Sequence, residues 1–161
     1  MTQGLTLIAI AAAALAVTTG CSSEQAPAPS ALFDPCTTVT DDALTRAGAD
    51  PATRKPIGGA DGWRACEWQL GTAQLRVYST SRRPAEFDAA GAVLTELTVA
   101  GRTGRRLADP GALTSACDVL FDADQGVIRM IVVNRADVPE AGDACVTLSR
   151  AGAEIVPLFP A

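Results

Sequence analysis

The chain has 161 residues, of which 48% are hydrophobic, and its 13 basic and 18 acidic side chains give a formal net charge of −5. This acidic balance argues against binding to nucleic acid and against attraction to anionic lipid headgroups. The sequence has no histidine, which excludes a Ser-His-Asp triad, a Cys-His pair and an imidazole pH switch.

The first feature along the chain is an apolar run over residues 5–17, followed by Thr18-Thr19-Gly20-Cys21. This run is shorter than the roughly 20 residues needed to cross a bilayer, and it has the length of a signal-peptide core. A small residue before a cysteine at this point is typical of a bacterial lipoprotein cleavage site. We therefore expect residues 1–20 to be a signal peptide and Cys21 to be lipidated, with plain secretion and an uncleaved segment as alternatives.

Residues 21–31 are rich in Pro, Ala and Ser and are predicted to form a tether. Alternating Ala and Pro favour an extended backbone of roughly 3 Å per residue, which gives a reach of about 30 Å. Residues 32–161 then form one predicted domain, which is long enough to bury a core.

The domain begins with a predicted short helix. Thr40 is suited to be its N-cap, Asp41 and Asp42 would lie in its first turn, and Gly48 would end it. Residues 54–62 are predicted to form a loop.

Two strands are predicted next. Apolar and polar residues alternate over 66–70, which places Cys66, Trp68 and Leu70 on one face. After a turn at residues 71–72, Leu75 and Val77 alternate with polar residues in the second strand.

A second helix is predicted to begin at Pro84, a residue favoured at the first helical position. Its spacing places Phe87, Ala90, Gly91 and Leu94 on one helical face.

The second half of the domain is predicted to be mostly β-structure. Short strands are expected at residues 97–100 and 103–107, joined by a bend or bulge around Gly101. The strongest predicted hairpin pairs residues 117–121 with 127–133.

A final helix is predicted to begin after Asp143, which is suited to be its N-cap. Its predicted buried face carries Cys145, Leu148, Ala151, Gly152 and Ile155. The mixed order of helices and hairpins indicates an α+β fold, with helices packed on an antiparallel sheet of about five or six strands.

The five cysteines support an oxidising compartment. If Cys21 is lipidated, the remaining four lack metal-type spacing and are predicted to form two disulfides. Three connectivities are possible; we favour Cys36–Cys66 with Cys117–Cys145, since these sequential pairs close loops of similar length. Each would fasten a terminal helical segment to the sheet. Buried free thiols are the alternative.

Four short motifs contain these cysteines: Phe33-Asp34-Pro35-Cys36, Cys66-Glu67-Trp68, Cys117-Asp118-Val119 and Asp143-Ala144-Cys145. Together they resemble the actinobacterial lipoproteins grouped as domain of unknown function 3558. The resemblance implies a lipid-anchored cell-envelope protein of an actinobacterium, similar in plan to small extracytoplasmic sensor domains of mycobacterial kinases. It implies no catalytic site and no cofactor.

No motif predicts a metal site. Residues 122–126 come nearest to a calcium loop, but an EF-hand counted from Asp122 needs Gly and Glu where this chain has Val127 and Val133. A hairpin turn is the favoured interpretation of this segment.

Two kinds of residue are candidates for ligand binding. Trp63 lies at a loop edge and is as suited to stack on a sugar or lipid as to pack, whereas Trp68 is expected in the core against the Cys66 disulfide. One basic concentration consists of Arg82, Arg83, Arg102, Arg105 and Arg106. Arg102, Arg105 and Arg106 could hold a phosphate or carboxylate, although a solvated strand edge is the favoured interpretation.

These observations predict a non-enzymatic interaction or sensor-like module on the outer face of the cytoplasmic membrane. Its partners would be the membrane, through the lipid anchor, and an envelope protein or lipid. The alternative is a binder or carrier of a lipid or small envelope molecule in an apolar pocket between sheet and helices. A secreted enzyme is the third hypothesis.

Overall fold

The computed structural model describes residues 31–58, 62–88, 93–108, 115–137 and 142–161. Within these ranges the structure is an antiparallel sheet of seven strands with helices packed on it. The strands are β1 Asp50–Pro56, β2 Trp63–Leu70, β3 Ala73–Thr80, β4 Val93–Val99, β5 Arg102–Ala108, β6 Ala116–Ala123 and β7 Gly126–Asn134. The helices are α1 Pro35–Thr38, α2 Asp41–Ala47, α3 Ala85–Asp88 and α4 Ala144–Ile155, and a short 3-10 helix, Val156–Leu158, follows α4. The predicted α+β class is confirmed.

The sheet consists of two meanders joined in the middle. Its strand order is β1-β2-β3-β7-β6-β5-β4, and every pair of neighbours is antiparallel. The first three strands form one meander, and the last four form the other. The pairing of β3 with β7, from Ala73 opposite Asn134 to Thr80 opposite Val127, connects them.

Side chains on one face of the sheet form the core with the helices. Along one cross-strand row, Trp68, Leu75, Val132 and Cys117 are neighbours in register, and all four are buried. Helix α4 lies against this surface, which we call the core face. A Cβ at Gly152 would overlap Val99 of β4, so the absence of a side chain there lets the helix approach the sheet closely.

Most of the helices and strands lie where local sequence signals predicted them. The Thr40 hydroxyl accepts a hydrogen bond from the backbone N–H of Ala43, and Gly48 ends α2 with a φ of 82°. Asp143 caps α4 through the N–H groups of Cys145 and Val146. The strands β2, β3, β6 and β7 are likewise confirmed.

The predicted loop over residues 54–62 is wrong in its first part. Arg54 belongs to β1, which pairs with β2 at the edge of the sheet. Pro51 and Pro56 lie within this strand, and an edge strand tolerates proline because one side of it needs no ladder hydrogen bonds. The polar, proline-containing sequence therefore concealed an additional strand.

The prediction of a helix from Pro84 that includes Leu94 is also wrong. Phe87 lies in the short helix α3, but Leu94 is in β4, where it pairs with Leu107 of β5. Ala90 and Gly91 are outside the described residues. Pairing along the whole β4–β5 hairpin outweighs the helical periodicity of these few apolar residues.

The connection at Gly101, predicted as a bend or a bulge, is a tight turn. Val99 pairs with Arg102, which leaves Ala100 and Gly101 as a two-residue loop with φ values of 51° and 78°. Two successive residues with positive φ are typical of a type I′ hairpin turn.

We expect Gly104→Ala to destabilise the protein by about 1–3 kcal/mol, the usual cost of overpacking. A Cβ at this position of β5 would lie 2.9 Å from Phe121 Cε1 and 3.0 Å from the backbone oxygen of Leu120. The free energy of unfolding, from urea denaturation, measures the effect. Gly58→Ala is the matched control, since nothing lies within 4 Å of its added Cβ. Equal stability of the two variants would contradict this close contact.

Candidate functional site

Two disulfides fix the helical segments at both ends of the domain to the core face. Cys36 of α1 is bonded to Cys66 of β2, and Cys117 of β6 is bonded to Cys145 of α4. The favoured pairing is thus confirmed. Disulfides of this kind indicate an extracytoplasmic compartment. Cys21 lies outside the described residues.

The N-terminal chain is fastened at one end of the sheet. The backbone N–H of Phe33 donates to Gln125 Oε1 at 2.8 Å, and the Phe33 carbonyl accepts a hydrogen bond from the Ser79 hydroxyl. Asp34 pairs with Arg64 at 3.1 Å. We call this the proximal end; it is where β2 begins, β3 ends and the β6–β7 hairpin turns.

Arg102 holds the C-terminal segment to the same end. Its guanidinium donates to the carbonyls of Phe159 at 3.3 Å and Pro160 at 2.7 Å, and also to the Asp122 carbonyl. It lies over the ring of Phe121, 6.0 Å from the centroid. Burial lowers the pKa of Arg102. This guanidinium is engaged by the protein's own backbone.

The predicted arginine cluster is divided between the two faces of the sheet. Alternate residues of a strand point to opposite faces, so Arg102 and Arg106 share one face of β5 while Arg105 is on the other. Arg105 pairs with Asp122 at 2.8 Å and donates to the Pro84 carbonyl at 3.5 Å. Arg106 is exposed. The three side chains do not converge on one point, and anion binding by them stays a prediction.

The two tryptophans have different environments. Trp68 is fully buried in the core. Trp63 is half-buried on the opposite face, where its ring makes edge contacts with Tyr78 and Phe87 at centroid distances of 6.0 and 5.8 Å. Trp63 therefore belongs to an aromatic group that joins α3 to the sheet, and ligand stacking on it stays a prediction.

The face opposite the core carries paired charges. Arg76 donates to Glu67 Oε2 at 2.8 Å, and Arg129 Nε donates to both oxygens of Asp118 at 2.9 and 3.1 Å. The hydrogen bond to Asp118 raises the pKa of Arg129, whose guanidinium also lies 5.8 Å from the centroid of the Tyr78 ring. We call this surface, defined by Glu67, Arg76, Tyr78, Asp118 and Arg129, the open face.

A cavity of about 430 Å³ lies at the other end of the sheet, beside the β2–β3 turn and between the end of α2 and α4. We call it the distal pocket. Its lining residues are Arg46, Ala47, Gly48, Leu70, Gly71, Thr72, Ala73, Asn134, Thr147 and Arg150. Sequence reasoning missed this site, because the residues come from four separate segments that carry no local motif.

A second cavity, of about 510 Å³, lies at the proximal end. It is lined in part by Phe33, Asp34, Gln125 and Leu158.

The described ranges contain no group of three or more His, Cys, Asp or Glu side chains that could hold a metal ion. No helix in the described part of the chain has the length and apolar character needed to cross a membrane.

The profile of a family described as "Protein of unknown function (DUF3558)" matches residues 9–158. The chain belongs to the DUF3558 family. No curated protein and no solved structure shows significant similarity to it. The resemblance drawn from the four cysteine motifs is confirmed at the level of this family. The DUF3558 description names no activity, so function has to be argued from the geometry.

We expect Arg102→Gln to loosen the C-terminal segment of this DUF3558 protein. The variant loses charge-assisted hydrogen bonds to backbone carbonyls, which contribute about 1.5–3 kcal/mol. Hydrogen exchange at the Asp124 amide is a specific measurement, because this N–H donates to the Ala161 carbonyl at 2.6 Å. The amide should exchange faster in Arg102→Gln, and its exchange rate should be unchanged in Arg106→Gln. Equal protection of this amide in both variants would contradict the role of Arg102 in holding the C-terminal segment.

Proposed function

We propose that this protein is a non-enzymatic interaction module of an actinobacterial cell envelope, anchored to the outer face of the cytoplasmic membrane through lipidated Cys21. The observation that carries the proposal is the attachment of the N-terminal chain at the proximal end, through Phe33, Asp34 and Cys36. A tether of about 30 Å before this point would hold the proximal end toward the membrane and leave the distal end facing away from it.

The open face is the surface that we propose contacts a partner. The larger helices α2 and α4 lie on the other side of the sheet or at its edge, while α3 extends over only one end of the open face. Tyr78 and the aliphatic parts of Arg76 and Arg129 offer contact area, and Tyr and Arg are enriched where protein interfaces carry most of their binding energy. Their paired carboxylates keep the arginines in fixed positions.

The structure favours the distal pocket over a core cavity for the alternative function, the binding of a small envelope molecule. Trp68, Met130 and Leu148 fill the space between the sheet and α4, and each is fully buried. A lipid in that space would have to displace them. The distal pocket, by contrast, is already open at the surface.

Cys21→Ala tests the anchor. We expect the variant to leave the membrane fraction, because the acyl chains that would hold the protein to the bilayer have no attachment site. The measurement is membrane fractionation with metabolic palmitate labelling, and Cys36→Ala serves as the control that loses a different cysteine. Retention of label in Cys21→Ala would overturn the anchor.

Crosslinking in intact cells tests the partner surface. A photo-reactive amino acid at Gln74, half-exposed on the open face, is compared with one at Ala153, exposed on α4. We expect a discrete crosslinked envelope protein from position 74 and none from position 153, identified by mass spectrometry. Absence of a crosslink at 74, or the same product from both positions, would contradict the open face as the partner surface.

A further inference from the structure

The distal pocket has the composition of an anion site. Its floor is apolar, formed by Ala47, Leu70 and Ala73, and the charged side chains that line it are Arg46 and Arg150. Arginine presents several N–H donors in a planar arrangement that suits carboxylate and phosphate groups. A small pocket with an apolar floor and a few polar groups is the usual form of a small-molecule site.

Both arginines have donors to spare. Arg46 uses Nε for a hydrogen bond to Glu154 Oε2 at 2.6 Å, and its two terminal nitrogens have no hydrogen-bond partner in the described ranges. The Glu154 carboxylate raises the pKa of Arg46, so this side chain keeps its charge. Arg150 has no ion-pair partner among the described residues. The nearby acids Glu154 and Asp42 do not line the pocket.

Asn134 adds an independent observation. The residue is one of those that line the pocket, it is only 9% exposed, and its Nδ2 donates to the Gly142 carbonyl at 2.8 Å. Its Oδ1, however, is buried without a hydrogen-bond partner in the described structure. Buried side-chain oxygens nearly always have a partner. A ligand that brings an O–H or N–H group would supply one once the Asn134 amide turns toward the pocket, because Oδ1 is closed to solvent in the conformation described.

With the proximal end held toward the membrane, as proposed above, the position of the pocket favours a soluble ligand. The β2–β3 turn that borders it lies at the opposite end of β3 from the attachment of Phe33 to Ser79. Eight residues of extended strand separate the two ends, which corresponds to about 23 Å at roughly 3.3 Å per residue.

We propose that the distal pocket binds a small soluble oxyanion, a phosphate or carboxylate group with a neighbouring hydroxyl or amine. Arg46 and Arg150 bind the anionic group, and the Asn134 amide turns toward the pocket so that its Oδ1 accepts a hydrogen bond from the neighbouring donor. Anion binding itself requires neither the lipid anchor nor the open face, so its failure would leave the proposed interaction function standing; the choice of a soluble ligand rests on the proposed anchor.

A titration monitored by NMR tests the proposal on the purified protein with both disulfides intact. Glycerol 3-phosphate is the main probe, because it carries a phosphate and hydroxyl groups, and inorganic phosphate tests the anionic part alone. We expect saturable shifts of the Asn134 side-chain amide and of Arg150, with a dissociation constant in the millimolar range or below. Inorganic phosphate should bind more weakly; equal affinity for both probes would overturn the role of Asn134.

Arg150→Gln should weaken glycerol 3-phosphate binding about tenfold or more, the usual effect of losing a charged hydrogen bond. Arg106→Gln removes another exposed arginine, on β5, and should leave binding unchanged. No saturable shift up to about 10 mM, or equal weakening in both variants, would overturn the site.

Vesicles containing phosphatidylglycerol should not compete for the pocket. If the vesicles do compete, and Arg150→Gln abolishes this competition, the soluble ligand is ruled out in favour of a lipid headgroup.

Discussion

The pairing of β3 with β7 is the contact on which the rest of the molecule depends. Each meander forms from strands that are close in sequence, but neither meander can form the seven-stranded sheet by itself. The eight registered pairs from Ala73–Asn134 to Thr80–Val127 bring together residues that are 47 to 61 positions apart in the chain. These two strands lie at the centre of the sheet, where Val77 and Met130 are fully buried between it and the helices. Loss of this pairing would separate the core into two halves that expose apolar surface.

The two disulfides stabilise this arrangement, one in each meander. Cys66 belongs to the first meander and Cys117 to the second, and each is bonded to a helical segment outside the sheet. In the chain-entropy account, a closed loop of this size contributes roughly 3–4 kcal/mol by restricting the unfolded chain. Both bonds stabilise the helices against the core face, so they act on the same layer that β3 and β7 organise.

Sequence patterns predicted the features that depend on near neighbours. The caps at Thr40 and Asp143 and the alternation around Trp68 are local signals, and the structure follows them. β1 and Leu94 were misjudged because their conformation is decided by a partner strand elsewhere in the chain. The same reason hid the distal pocket: Arg46, Asn134 and Arg150 are brought together only when the two meanders and α4 have assembled. Conversely, the sequence grouped Arg102 with Arg105, but strand alternation places them on opposite faces.

The attachment of the N-terminal chain has a mechanical consequence. A pull applied from the chain before residue 31 would first break the hydrogen bonds of Phe33 and the ion pair of Asp34. It would then meet the Cys36–Cys66 bond, which passes the load covalently to β2, inside the sheet rather than at its edge. Peeling of the terminus therefore stops after a few residues. A domain held in this way can bear tension between a membrane and a bound partner while its folded surfaces keep their shape.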